Sequence, residues 1–188
     1  MKRLINILVL ILIGTTSAFA WGREAHEVIA RIAENNLKPG VQNKIESCLG
    51  HSIVYYAKWM DEYRHTPEYK FTHPWHSCVV DEGLKYVPQS NADAIHGLDY
   101  ATGNLKDYRH LSDSAVAVNV KIIVHLIGDM HCPAHIKYKG REYSFKVKFG
   151  GDYIKPRVDA RIHDVWDYYA IQSCRIFSSS EYAEELDR

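Results

Sequence analysis

His125 and Asp129 stand four residues apart, and Val118, Ile122, His125 and Asp129 follow one another at steps of four, three and four. On a helix these steps stack the four side chains on one face. An imidazole and a carboxylate on a stripe that ought to be apolar need a reason, because a buried charge is costly unless it is paired or metal-bound. His163 and Asp167 repeat the spacing within Ile162-His163-Asp164-Val165-Trp166-Asp167. Asp61 follows Ala57 by four residues and Val54 by seven, and His26 lies one turn before Ile29 and Ala30. One His–Asp pair is explained by a core hydrogen bond. Two such pairs, with a further His and Asp on the apolar sides of other segments, point to divalent ions. Imidazole nitrogen with carboxylate oxygen suits zinc, whereas calcium does not take imidazole. His73 and His76 lie three residues apart, and spacing alone does not choose between them.

The elements that must position these residues read as one mostly helical domain, all-α in class, with a small β-ribbon. Periodicity predicts helices over Glu24 to Leu37, Val41 to Leu49, Ser52 to Tyr63, Ser112 to Met130 and Arg161 to Ile176, with a further helix near Ala92 to Tyr100. Ser112 is a natural N-cap, and Pro133 lies just beyond the end of that helix. Thr66 to Pro74 reads as extended. Tyr143, Phe145, Val147 and Phe149 alternate between Gly140 and Gly150-Gly151, the period of a strand pair within Lys139 to Val158. The polar tail after Ser178 reads as frayed.

Residues 1–20 read as a secretory signal peptide. Lys2 and Arg3 precede an apolar run from Leu4 to Ile13, and Ala18-Phe19-Ala20 is a cleavage signature. That run is too short for a membrane span, so a secreted or periplasmic domain over 21–188 is expected, beginning at Trp21. The whole chain balances 23 Lys+Arg against 23 Asp+Glu. It lacks the basic excess of duplex-binding proteins, so attraction for a polyanion must be local. Cys48, Cys78, Cys132 and Cys174 make disulfides possible outside the cell, with three pairings open. The lack of a Cys-x-x-Cys pair argues against a thiolate zinc site. Trp59, Trp75 and Trp166 are expected in the core.

Several motifs together resemble a known family. They are Trp21-Gly22 with His26, Ala57-Lys58-Trp59-Met60-Asp61 with Arg64, and Trp75-His76. They continue with His125-Leu126-Ile127-Gly128-Asp129-Met130-His131-Cys132-Pro133-Ala134-His135, Gly150-Gly151 and His163-Asp164-Val165-Trp166-Asp167. In order and internal spacing these look like the secreted zinc nucleases and 3′-nucleotidases of fungi and plants, the S-one/P-one type, which share a fold with bacterial zinc phospholipase C. The resemblance implies a phospholipase C/nuclease-like fold and three Zn²⁺ ions. One would be held by Asp61, His76, His125 and Asp129, and a second by His135, His163 and Asp167. The third would take the amine and carbonyl of Trp21, with His26 and a bridging Asp129. It places Asp61 and Arg64 in the catalytic machinery, with Arg64 on the phosphate. His131 matches a non-ligand position. Three Zn²⁺ against the carboxylates of Asp61, Asp129 and Asp167 leave about three positive charges, enough to attract a phosphodiester without a basic surface.

The implied activity is endonucleolytic cleavage of single-stranded DNA or RNA to 5′-phosphorylated products, with 3′-nucleotidase activity. The partners are nucleic acid or nucleotides, and no protein partner is implied. Ser77 stands where fungal members place a base-stacking aromatic residue, and Val79 where they place an acidic base contact. Asp152 follows Gly150-Gly151 where the family carries Asn. As a substrate contact Asp152 cannot donate to phosphate and would repel it. Family members also run further past the last ligand pair than this chain does. A phospholipase C-like phosphodiesterase and a non-catalytic zinc-binding homologue are the alternative readings.

Overall fold

A computed structural model of the 188-residue chain describes residues 22–141, 145–151, 158–173 and 177–188. Trp21, Asp152 and Cys174, like the proposed leader, lie outside the described residues. The fold is mostly helical, as its periodicity predicts.

Helices α1 (Arg23–Asn35) and α2 (Pro39–Leu49) come first, α2 opening on a proline at its first turn and ending on Gly50 in the left-handed conformation. A 3-10 turn (Ile53–Tyr56) and the short α3 (Trp59–Tyr63) follow, where sequence periodicity predicts one continuous helix. A 3-10 segment (Lys70–His76) leads into β1 (Cys78–Val80), correcting the extended reading of Thr66 to Pro74. Helix α4 (Ala94–Leu105) is capped by Asp93, whose side chain accepts from His96 N–H.

The long α5 (Asp113–Met130) is the organising element. The Ser112 hydroxyl accepts from Ala115 N–H, the cap that the sequence predicts. Ile122 and Leu126 are fully buried with Met60, Trp59, Trp75 and Ala101. Each such aliphatic side chain contributes roughly 1.5–3 kcal/mol by leaving water. A second cluster, Leu49, Ile53, Val116, Ala117 and Val120, covers the N-terminal half of α5. Helices α4 and α5 approach so closely at Gly97 that a Cβ there would lie 2.7 Å from Leu126 Cδ1. Trp59 and Trp75 pack in the core as expected, but Trp166 is 46% exposed.

Beyond α5, a 3-10 turn (Pro133–His135) enters β2 (Ile136–Tyr138), which pairs in parallel with β1, Cys78 opposite Ile136. The expected ribbon is an antiparallel pair of β3 (Lys146–Phe149) and β4 (Val158–Arg161), with Val147 opposite Ala160. Tyr143, in the predicted alternation, lies outside the described residues. Helix α6 (Ile162–Asp164) passes into a π turn (Val165–Tyr169) and then α7 (Ala170–Ser173).

The tail is not frayed. Helix α8 (Ser179–Leu186) starts at a capping box, Ser178 with Glu181, and lies against α1 with Ala183 buried. Asn36 donates to Asp187, and Ser179 donates to Glu27. The polar sequence conceals this helix because its stability comes from the cap and from α1 rather than from a broad apolar stripe.

Candidate metal centre

Four elements deliver the site. His26 enters from α1, Asp61 from α3, and His125 and Asp129 from the last turns of α5. His163 and Asp167 enter from the segment joining α6 to the π turn. The parallel β1–β2 pair adds the rest, since His76 lies two residues before β1 and His135 immediately precedes β2. That strand pair sets the two imidazoles side by side, and His135 Nδ1 makes a short contact to His76 O.

His26, His125, Asp129, His135 and Asp167 are at most 2% exposed, and Asp61 and His76 are 7% exposed. Burial so complete of so many polar groups is tenable only if each finds a partner. Around Asp61, His76, His125 and Asp129 the donor atoms face one another. His76 Nδ1 lies 3.0 Å from Asp129 Oδ2 and 3.6 Å from Asp61 Oδ1. His125 Nε2 lies 3.3 Å from Asp129 Oδ2, 3.7 Å from Asp61 Oδ1 and 3.1 Å from His76 Nδ1. A tetrahedral zinc with nitrogen and oxygen ligands at ~2.0–2.1 Å separates neighbouring ligand atoms by about 3.3–3.4 Å. The observed edges bracket that value. His125 Nδ1 donates to Ala57 O at 2.9 Å, which leaves Nε2 as the inward lone pair, the orientation a metal ligand needs. Among the described residues Asp61 Oδ2 and His76 Nε2 have no hydrogen-bond partner.

The other oxygen of Asp129 faces a second space, with His26 Nε2 at 3.4 Å and His135 Nδ1 at 3.6 Å. The His26 ring stacks on His125, centroids 4.4 Å apart. Asp129 therefore has one oxygen toward each neighbouring group. Gly22 N–H donates to Asp167 O, so the chain just after Trp21 meets the segment that carries the last ligand pair. A third space lies at Asp167, with His163 Nε2 2.6 Å from Oδ2 and His135 Nε2 3.4 Å from Oδ1. The π turn begins between His163 and Asp167. Such turns are rare and cluster at functional sites, and period alone reads this one as ordinary helix. Arg64 Nη1 stands 3.4 Å from Asp61 Oδ1 at the rim.

Burial and neighbouring charges set the protonation of the cluster. Burial, with a smaller contribution from His125, pushes His76 down to about 4 against the pull of Asp129 and Asp61. Burial, then the neighbouring His125, lowers His26. His125 and His135 go the other way. Burial opposes their charged forms, but Asp129 and the other carboxylates outweigh it, lifting His125 and raising His135 to about 9. Burial likewise opposes the charged forms of Asp129 and Asp167, yet the adjacent imidazoles hold both well below the usual carboxylate range. The carboxylates thus recruit positive charge from whatever is near, and a bound divalent ion is the alternative supplier.

Every sequence-predicted ligand within the described residues converges here. His73 and His131 are exposed, so burial separates His76 from His73 where spacing does not. Cys132 is the residue that sequence reasoning missed. It is fully buried, with Sγ 3.1 Å from Asp167 Oδ1, and its donor atom joins those of His135 and Asp167 in a candidate metal-binding group. Burial, and then Asp167, hold its thiol well above the usual range. Cys48, Cys78 and Cys132 are free thiols, so no disulfide joins any two of them.

A helical domain whose central helix, parallel strand pair and π turn close on buried imidazoles and carboxylates belongs to the class of proteins with a candidate multinuclear metal centre. This chain is a member of the S1/P1 nuclease family, whose model matches residues 21–188. It is 26% identical to Nuclease S1 of Aspergillus oryzae over 188 aligned positions, covering 89% of this chain and 60% of that protein. It is 28% identical to Endonuclease 1 of Arabidopsis thaliana, over 88% of this chain and 59% of that protein. It is 26% identical to Nuclease P1 of Penicillium citrinum, over 81% and 58%. The chain thus spans about 60% of the length of these relatives.

Proposed function

We propose that the protein is a zinc-dependent phosphodiesterase that cleaves single-stranded DNA or RNA to 5′-phosphorylated products, with 3′-nucleotidase activity. The observation that carries the reading is the convergence of His76 and His125 with each other and on both Asp61 and Asp129 at 3.0–3.7 Å, close to the spacing of ligands around a tetrahedral ion. Membership of a nuclease family supports this reaction class.

In this reading Asp61, His76, His125 and Asp129 hold one zinc. His135, His163 and Asp167 hold a second, and Trp21, His26 and Asp129 a third. When bound, zinc supplies an activated water and stabilises the charge developing at phosphorus and on the leaving 3′-oxygen. The protein's part is orientation. Ala57 O fixes the His125 tautomer, Asp129 bridges two positions, and Arg64 at the rim pairs with a phosphate oxygen in place of Asp61. Asp61 acts as both ligand and the anchor that aims Arg64. Ser77 offers no ring for stacking, so base recognition is weak, and the Asp152 carboxylate repels a phosphate rather than donating to it.

Secretion belongs to the same reading. Removal of residues 1–20 frees the Trp21 amine, whose ordinary pKa near 7.7–8.0 lets a metal displace its proton. The contact of Gly22 with Asp167 supports a Trp21 close to the cluster. Among the described residues no helix is long and apolar enough to cross a membrane.

The deciding experiment counts zinc per mole of protein starting at Trp21, then offers single-stranded oligonucleotide, duplex DNA and short-chain phosphatidylcholine. The expectation is close to three zinc ions and chelator-sensitive cleavage of the single strand. Preferential cleavage of the lipid, or full zinc with no phosphate ester hydrolysed, overturns the reading.

A further inference from the structure

We infer that the Cys132 sulfur is a protein ligand of the ion held at His135, His163 and Asp167, making that position a Cys-His-His-Asp site. The inference deepens the metal-centre reading above and rests on it.

The turn that ends α5 places the sulfur. Cys132 N–H donates to Asp129 O at 2.9 Å, and His135 N–H donates to Cys132 O at 3.0 Å. With Pro133 between them, Cys132 and His135 are driven to the same side, toward the π turn. Cys132 is completely buried and its Sγ stands 3.1 Å from Asp167 Oδ1. His135 Nε2 is 3.4 Å from that same oxygen. The three donor atoms all lie within 4.8 Å of one another. A tetrahedral zinc with sulfur at ~2.3 Å and nitrogen or oxygen at ~2.0–2.2 Å sets its ligand atoms about 3.3–3.6 Å apart. The two separations to Asp167 Oδ1, 3.1 and 3.4 Å, fall within about 0.5 Å of such edges.

A second observation points into the same space. His135 is 2% exposed, and its Nε2 has no hydrogen-bond partner among the described residues. A hydrogen bond from the thiol is weak and satisfies only Asp167 Oδ1. A cation between Sγ, Nε2 and Oδ1 satisfies all three. On binding, the sulfur–metal bond forms as the S–H proton passes to water.

His163, with Nε2 beside the other oxygen of Asp167, is the fourth protein ligand of the inferred site. Closed four-ligand zinc sites are structural, whereas catalytic ones keep an open position. The ion at Asp167 then pins the α6–π segment to the end of α5, and the chemistry falls to the positions that Asp129 bridges.

The test replaces zinc with cobalt(II) in metal-depleted protein and records its absorption. The visible d–d bands report that cobalt is bound, and a near-ultraviolet sulfur-to-cobalt band reports a thiolate ligand. The parent protein and Cys48→Ser are expected to show both. Cys132→Ser and Cys132→Ala are expected to keep d–d bands, with their circular dichroism unchanged, and to lose the sulfur band. Two variants of different polarity guard against one that fails to fold. Cobalt bound by the parent protein with d–d bands but no sulfur band shows the thiol to be a hydrogen-bonding neighbour and overturns the inference alone. No d–d bands in any protein overturns the metal-centre reading with it.

Discussion

Gly128 lies directly beneath the His26 imidazole, so closely that a Cβ at that position would stand 2.3 Å from His26 Nδ1. Helix α1 can bring His26 onto α5 only because residue 128 has no side chain. The obstacle is a ring stacked on His125, not the movable end of a flexible chain. Gly128→Ala is expected to displace His26 and to cost about 1–3 kcal/mol as an overpacked core site. Zinc content should fall by one ion, the one assigned to His26. Thermal unfolding and metal analysis on the same sample check this, and an unchanged zinc count removes His26 from the ligand set.

Asp129 turns one oxygen to His76 and His125 and the other to His26 and His135. Asp167 serves only the third space. Asp129→Ala should therefore lose two zinc ions and Asp167→Ala one. Equal losses, measured by metal analysis after gel filtration, would contradict the bridging role.

The metal should also hold the fold. Removing it leaves Asp61, Asp129 and Asp167 buried with imidazoles, the Arg64 guanidinium and the Cys132 thiol as their partners, across segments far apart in the chain. A ligand present at about 1,000 times its Kd stabilises the folded state by about 4 kcal/mol. For a chain of this size that is a Tm fall of about 8–16 °C per ion removed. Calorimetry before and after dialysis against chelator, with zinc restored as a third arm, measures it. A Tm indifferent to chelator is incompatible with a site that ties these helices together.

The clustered imidazoles and carboxylates are legible because a helix repeats every 3.6 residues. His125 and Asp129 fall on the same face as Ile122, and only a metal or a strong pair makes that tolerable. Motif order then supplied His76 and His135, which periodicity could not, since both sit on 3-10 turns whose position depends on the β1–β2 pair. Three-residue parallel strands more than fifty residues apart in the chain leave no local signal. Cys132 escaped for a different reason. Its importance is a contact with Asp167, and one cysteine without a neighbouring one looks like an ordinary buried thiol. Trp166 misled because burial habits ignore which side of a helix a residue takes. Asp167 claims the inner side and turns Trp166 to solvent.

The C-terminal helix offers a test independent of metal. Ser178 Oγ accepts from Glu181 N–H, and Glu181 reaches back to Ser178 N–H, closing both ends of the first turn. Ser178→Ala should lower Tm by about 2–4 °C, the usual effect of losing one N-cap in a chain of this length. Zinc content should not move, because α8 touches α1 on the side facing Glu27 and Asn36. An unaltered Tm would return the tail to the frayed state that its polar sequence suggests.

Arg64 is the sharpest test of catalysis as distinct from metal binding. Its guanidinium sits 3.4 Å from Asp61 Oδ1 and is 18% exposed, so it reaches the rim while its partner stays buried. Arg64→Ala removes a planar donor from the phosphate but no ligand from any ion. Loss of one such donor to a developing charge costs on the order of 10²–10³ in kcat. Arg64→Lys should recover only part of that, since a point charge cannot form the paired hydrogen bonds of a guanidinium. Zinc content and Tm should match the parent protein. The check is steady-state cleavage of a single-stranded oligonucleotide by all three proteins at equal zinc loading. If Arg64→Ala turns over at the parent rate, Arg64 is only the surface partner of Asp61.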